Sequence, residues 1–269
     1  MPLNSSAENI SRNNFPFQWN AQFITYLGLK IPCQLDSIFS LNHDSLFNKV
    51  EKDLDRWVHL PISLIWRVNC IKMNILPKFL YLFQTLPVSV HNNFFKKLQK
   101  LISSFIWKRK VPRIKIKTLY NTPRHGGLKL PNFKIYYWAA QSRALWVWQS
   151  ELANPPAWKQ IEQCHTSGVP LAGIPYIKSY HTLRNGTDNP IIRHTARIWS
   201  EIQTHIKSVI VLQRNTPFHA NPVLPSALRD AITKKWYEQG IKIFEDLYEN
   251  DTLMTFEQLS RTFHLPPSC

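Results

Sequence analysis

From Arg56 to Ser150 the chain runs for 95 residues with 17 lysines and arginines and not one aspartate or glutamate. The remainder holds 16 basic residues against all 17 acids, so the formal charge of +16 belongs to this one internal block. Even basicity could serve solubility alone. A block of this length without a carboxylate is a field with a direction, of the kind that draws polyanions.

The block is also able to build a core. It carries sixteen aromatic residues, from Trp57 to Trp148, in a chain that is 44% hydrophobic with 10 tryptophans. Most of these rings read as core, because aromatic side chains dominate core burial. Seven glycines against 19 prolines describe helices and loops rather than tight turns or phosphate-cradling loops. At 269 residues the chain holds one large domain or two modest ones, at ~100–200 residues each. Collagen, coiled coil, acidic disorder and a disulfide scaffold are all excluded by composition.

The cysteines, Cys33, Cys70, Cys164 and Cys269, show no C-x-x-C spacing, which argues for a reducing compartment and against a zinc ribbon. The polar N-terminus lacks the layout of a signal peptide. The longest suggestive uncharged run, Phe79 to Phe95, is broken by Pro87 and by Gln84, His91, Asn92 and Asn93. It does not make the ~20 apolar residues that a membrane span needs. The expectation is a chain without a membrane partner, cytoplasmic and/or nuclear.

Apolar periodicity predicts the elements. Residues 1–20 are polar and ragged. Phe23 to Ile31 reads as a strand with Gly28 as a bend. A helix over His43–Val58 is built on Leu46, Phe47, Val50, Leu54 and Trp57. Ser63 caps the next helix, whose stripe is Leu64, Val68, Ile71 and Ile75, with Arg67 and Lys72 on either flank; Pro77 interrupts it before Lys78 to Leu86. Asn92 to Trp107 is strongly amphipathic, with Lys96, Lys97 and Lys100 opposite its apolar face. In Lys108 to Lys117, six of ten residues are basic. Arg113, Lys115 and Lys117 alternate there with isoleucines, which places charge in a row along an extended segment. A turn at His125-Gly-Gly leads into a short strand, then a buried, aromatic helix over Asn132–Gln149. Residues 154–190 read as a long irregular connection with a short helix near Trp158–Gln163. Helices follow at Ile191–Ile206, Leu228–Gln239, Ile243–Tyr248 and Thr255–Phe263, with a proline-studded loop over Thr216–Pro225.

Catalytic chemistry finds no footing. There is no Asp-Asp pair of the kind that holds two divalent ions. The acids cluster at Asp44–Asp55 and Glu245–Asp251, where capping and solvated-face roles are the default. Cys164, His165, His181 and His194 do not match compact zinc spacing. No G-x-S-x-G nucleophile elbow occurs. The expectation is no cofactor, no metal and no enzymatic activity.

Several ordered segments resemble a known family. They are Phe23-Ile-Thr-Tyr-Leu-Gly-Leu; Trp57 followed by Ser63 to Tyr81; Phe105-Ile-Trp107; and His125-Gly-Gly-Leu-Lys-Leu-Pro-Asn-Phe-Lys-Ile-Tyr-Tyr137. Together they resemble the reverse transcriptase/endonuclease polyprotein of LINE-type (non-LTR) retrotransposons, in the region downstream of the polymerase palm. The match covers about residues 20–150, and 151–269 is similar to the family's variable continuation. The resemblance implies a palm exit at Tyr26-Leu27-Gly28, a thumb between His43 and Trp107, and a post-polymerase region after it. Arg67, Lys72 and Lys78 match basic thumb positions that would contact a primer–template backbone. The sequence departs from the family in lacking the Asp-Asp site, the fingers and palm, the endonuclease and a Cys/His knuckle. Trp66 stands where a glycine commonly precedes the thumb arginine.

The sequence therefore predicts a mainly α fold: an irregular, helical, thumb-like bundle with a few short strands and a looser helical C-terminal part. Its expected divisions are 1–31, a polar N-terminus and palm-exit strand; 32–110, thumb-like; 111–150, a basic connector and aromatic helix; and 151–269, variable and partly linker-like. The expected function is non-catalytic, sequence-independent binding of RNA and DNA backbone. The candidate contacts are Arg67, Lys72, Lys78, Lys96, Lys97, Lys100, Lys108, Arg109, Lys110, Arg113, Lys115, Lys117, Arg124 and Lys129. The alternative is a decayed or domesticated fragment acting as a protein-interaction module.

Overall fold

Two compact units, Met1–Ala140 and Gln141–Cys269, make up the computed structural model. It describes residues 22–150, 154–166, 171–176, 187–206, 214, 216 and 231–265. The expected ragged start, the loop over Thr216–Pro225, His181 and Cys269 lie wholly or mostly outside these residues. The fold is mainly α, with two small two-stranded sheets among the described residues.

The first unit begins with a hairpin, not the single strand that its apolar run predicts. Strands β1 (Phe23–Tyr26) and β2 (Leu29–Pro32) pair antiparallel, with Ile24 opposite Ile31. Leu27 and Gly28 both have positive φ, 48° and 79°, the two-residue turn whose twist suits a hairpin. Glycine adopts this region freely, whereas Leu27 takes it at a cost of ~1–2 kcal/mol. The Tyr81 hydroxyl donates to the Leu27 carbonyl across 54 residues and holds the turn.

A π turn over Ser40–Asp44 leads into α1 (Ser45–Trp57), which buries Val50 and Leu54. Helix α2 (Leu64–Cys70) is capped as expected, the Ser63 hydroxyl accepting from the Trp66 N–H at 3.4 Å. Pro77 does not end this rod. A second π turn, Ile71–Ile75, precedes α3 (Leu76–Thr85) and places Pro77 in its first turn, where a missing N–H is tolerated. Helix α4 (Asn92–Ile106) follows, with Phe94, Phe95, Leu98, Ile102, Phe105 and Ile106 buried.

These helices meet around a cluster of rings. Phe79, Phe83, Phe94, Phe95 and Tyr137 contact one another at centroid separations of 5.3–6.2 Å, half of the pairs edge to face. That geometry favours the aromatic quadrupole. Of the sixteen aromatics in the acid-free block, nine are buried and only Trp66, Tyr81, Tyr136 and Trp146 are exposed.

Three local readings between 110 and 150 change, the first being that residues 127–132, after the His125-Gly-Gly turn, form no strand. The alternating run Arg113–Lys117 is not an extended strip: Lys115 flanks the short helix α5 (Ile116–Tyr120) and Lys117 lies inside it. Ile116 and Leu119 are three apart and turn inward, so helical burial overrides the period of two. The aromatic helix is two helices, α6 (Phe133–Gln141) and α7 (Arg143–Gln149), broken at Ser142. It is not buried all round, since Ile135 and Trp146 are 50% and 68% exposed.

The second unit holds two small cores. In one, Leu145 and Trp148 of α7 pack with Leu171, Ile174, Ile192 and Ala196. Trp148 Nε1 donates to the buried Glu162 carboxylate of α8 (Ala157–Cys164) at 2.7 Å. The Glu162 pKa is raised by burial. Helix α9 spans Pro190–Ile206 and α10 spans Ala231–Glu238. The other core gathers Ile241, Leu247, Leu259 and Leu265 around a hairpin, β3 (Tyr248–Glu249) with β4 (Thr252–Leu253), and α11 (Phe256–Phe263). Among the described residues, no helix is long and apolar enough to cross a membrane.

Candidate nucleic-acid interface

The first unit contains twenty basic and six acidic residues, and so carries +14 of the total +16. How each cation is used depends on what the fold sets beside it.

Arg67 is withdrawn from any surface. It is 0% exposed, and its guanidinium donates to the carbonyls of Phe105 at 3.1 Å, Val58 at 3.0 Å and Leu60 at 2.8 Å. It also lies 4.9 Å from the Phe105 ring centroid. Burial lowers its pKa, and three carbonyls on segments up to 38 residues away compensate the charge. The expectation that Arg67 meets a nucleic-acid backbone is therefore corrected: it ties the start of α2 to the end of α4. Lys72 donates to the Leu128 carbonyl at 2.8 Å, its pKa lowered by burial and then by Lys129. Lys78 is paired with Asp53 at 3.1 Å, and Arg109 with Asp55 at 2.8 Å. Acids of α1, outside the acid-free block, thus engage three of its cations, Arg56 being the third, 3.3 Å from Asp53.

The other ten candidates are exposed: Lys96, Lys97, Lys100, Lys108, Lys110, Arg113, Lys115, Lys117, Arg124 and Lys129. None forms an ion pair with a described residue. Lys96, Lys97 and Lys100 stand on the outer face of α4. Lys108 and Arg109 follow its C-terminus with φ of 52° and 60°, where positive charge is favoured by the helix dipole.

A groove runs between α4, α5 and the start of α6, with a volume of about 460 Å³. Its walls bring together Asn92, Lys96 and Gln99 of α4, Lys117 and Tyr120 of α5, and Asn132, Phe133 and Lys134. No carboxylate lines it. The wall from 127 to 132 is pinned: Leu128 and Leu130 N–H groups both donate to the Leu119 carbonyl, at 3.1 and 2.9 Å. The glycine pair makes this approach possible. Gly126 has φ 72°, and a Cβ on Gly127 would fall 2.1 Å from the Asn121 carbonyl oxygen. Asn132 caps α6, its carboxamide oxygen accepting from the N–H groups of Lys134 and Ile135 at 3.2 and 3.4 Å. Burial raises the Tyr120 pKa, so its hydroxyl stays protonated at neutral pH. Lys134 was missed by the sequence reading because its helix was taken as buried throughout. Its ammonium sits 4.5 Å from the Trp138 ring centroid.

A second hollow, about 530 Å³, lies by the hairpin and is lined by Lys30, Lys49 and Lys78. Lys78 is already paired there with Asp53, and Lys30 lies 5.0 Å from the Phe23 ring centroid.

Of the acids at Glu245–Asp251, read as capping or solvated, Asp246 caps, and two others form ion pairs instead. Asp246 accepts from the N–H groups of Lys242 and Ile243, and Arg214 pairs with Glu245 and Asp251. Among the described residues, no group of three His, Cys, Asp or Glu side chains is placed to hold a metal ion. No protein-family model matches the chain.

Proposed function

We propose that the chain binds the sugar–phosphate backbone of RNA or DNA without sequence preference, as a non-catalytic piece resembling the thumb and post-polymerase region of a LINE-type reverse transcriptase. The observation that carries the reading is the set of ten exposed cations between Lys96 and Lys129, none in an ion pair with a described residue. A cation without a carboxylate partner recruits counterions. Replacing them with phosphates releases them, which is the main source of non-specific affinity.

The test is fluorescence anisotropy of labelled RNA and DNA over a salt series. If six or more phosphates are engaged, affinity falls ~10³-fold or more between about 50 and 200 mM salt. Replacing Lys108, Arg109, Lys110, Arg113, Lys115 and Lys117 by Gln weakens binding to all sequences alike. A salt-independent affinity refutes the reading.

A protein-interaction module is the second reading, favoured by Ile65, Trp66 and Met73, which are 58%, 62% and 74% exposed. Pull-downs after nuclease treatment, with wild type and Trp66→Ala in parallel, separate the two. A partner kept by the wild type after nuclease and lost by the variant supports this second reading. Partners lost on nuclease treatment support the first.

A further inference from the structure

We infer that the groove between α4, α5 and α6 holds single-stranded nucleic acid, with one base against Tyr120 and the neighbouring phosphates on Lys96, Lys117 and Lys134. This rests on the nucleic-acid reading above and adds the place and the strandedness.

Three ammonium groups from three helices border one concavity that no carboxylate lines, so the site selects an anion. Leu98, Ile102 and Phe133 back the groove almost fully buried, while Ile116 and Tyr120 line it half-buried, and a bare phosphate would leave the accessible part of those two side chains unused. A nucleotide uses both parts, its phosphate on the lysines and the face of its base on the ring. At about 460 Å³ the groove falls in the range of ~300–1,000 Å³ typical of small-ligand sites, too small for a duplex. In a duplex the base faces are also covered by their neighbours in the stack. The pocket is held open before any ligand arrives. Lys72 and the Leu119 carbonyl fix the 127–132 wall, and the cap at Asn132 fixes the carboxamide beside it. Such preorganisation limits the ordering cost of binding.

The experiment measures anisotropy with a labelled thymidylate dodecamer, a duplex of equal length, and an oligoglutamate as competitor. In the triple variant Lys96→Gln, Lys117→Gln, Lys134→Gln, the single-strand Kd rises at least ~10-fold at low salt. Its log–log salt slope falls by about 2, from three contacts at ~0.7 each. Tyr120→Leu raises the single-strand Kd ~5-fold or more with its salt slope unchanged, since stacking and not charge is removed. Tyr120→Phe binds as wild type, and the duplex Kd changes less than ~2-fold in either tyrosine variant. Gln99→Trp, at an exposed position on the groove wall, blocks single-strand binding without touching a charge or Tyr120, and so covers the case in which Tyr120→Leu does not fold. Equal losses for single strand and duplex, or full competition by oligoglutamate, overturn the inference. So does single-strand binding that survives the triple and Gln99→Trp variants while a Lys108→Gln, Lys110→Gln, Arg113→Gln variant loses it; the broader reading then stands. A wild type that binds neither nucleic acid refutes the broader reading itself.

Discussion

His43 makes folding of the first unit depend on pH in a way that one substitution removes. The imidazole is 1% exposed, and neither ring nitrogen has a hydrogen-bond partner. It stacks on Phe39 with ring centroids 4.8 Å apart and planes 5° from parallel, and Phe83 and Phe94 stand 6.1 and 6.3 Å away. No hydrogen-bond acceptor among the described residues meets the ring, and burial lowers the pKa from 6.5 to about 4. The unfolded chain therefore takes up the proton near pH 6.5 and the folded chain only near pH 4, so between these values the unfolded state holds more protons. Stability is complete above pH 6.5 and is lost as pH falls through 4. At ~1.4 kcal/mol per unit of pKa difference, the loss from this group is about 2 kcal/mol by pH 5 and about 3 kcal/mol once both states are protonated. His43→Phe keeps a flat ring in the stack and removes both unpartnered nitrogens, each worth ~1–3 kcal/mol when buried unpaired. Part of that gain is offset by the larger ring. Urea unfolding of wild type and His43→Phe at pH 8 and pH 5, followed by circular dichroism, isolates the term, since every other titrating group cancels in the difference. The variant's advantage grows by about 2 kcal/mol between the two conditions. An advantage that changes by less than ~0.5 kcal/mol refutes the burial argument.

Arg67→Met removes the guanidinium from the Val58, Leu60 and Phe105 carbonyls, of which Leu60 and Phe105 keep the N–H groups of Ile62 and Lys108, and destabilises by ~1–3 kcal/mol in urea unfolding, while the salt slope of nucleic-acid binding by the folded protein stays that of the wild type. A reduced slope with unchanged stability would return Arg67 to the binding surface. Gly127→Ala drives a Cβ against the Asn121 carbonyl oxygen and costs ~1–3 kcal/mol or more, read as a lowered urea midpoint. A neutral Gly127→Ala would show that the 127–132 wall moves easily, contrary to its hydrogen bonding.

Much of the fold is legible wherever periodicity and capping agree. The stripe Val50, Leu54 and that of Phe94, Leu98, Ile102, Phe105 place α1 and α4 to within two residues at each end, and Ser63 caps where its position predicts. The failures share a cause. The Leu27-Gly28 turn carries no asparagine or aspartate signal, the π turn that admits Pro77 into a rod leaves no mark in composition, and isoleucines alternating with lysines fit a strand as well as one turn of helix. In each, burial against distant segments decides between two local patterns that the chain satisfies almost equally.

The sequence by itself determines where the charge lies, because a count needs no coordinates: all of the excess falls between Arg56 and Ser150, on amphipathic helices. It does not determine which cations remain available. Arg67 and Lys72 flank one stripe alike, yet Arg67 is enclosed by three carbonyls whereas Lys72 reaches the single Leu128 carbonyl. Lys78 and Arg109 are engaged by carboxylates 25 and 54 residues away. Helical periodicity repeats every 3.6 residues and carries no information over such separations. Only packing sets a carbonyl or a carboxylate beside a given cation, and only packing leaves Lys96, Lys117 and Lys134 around one groove without one.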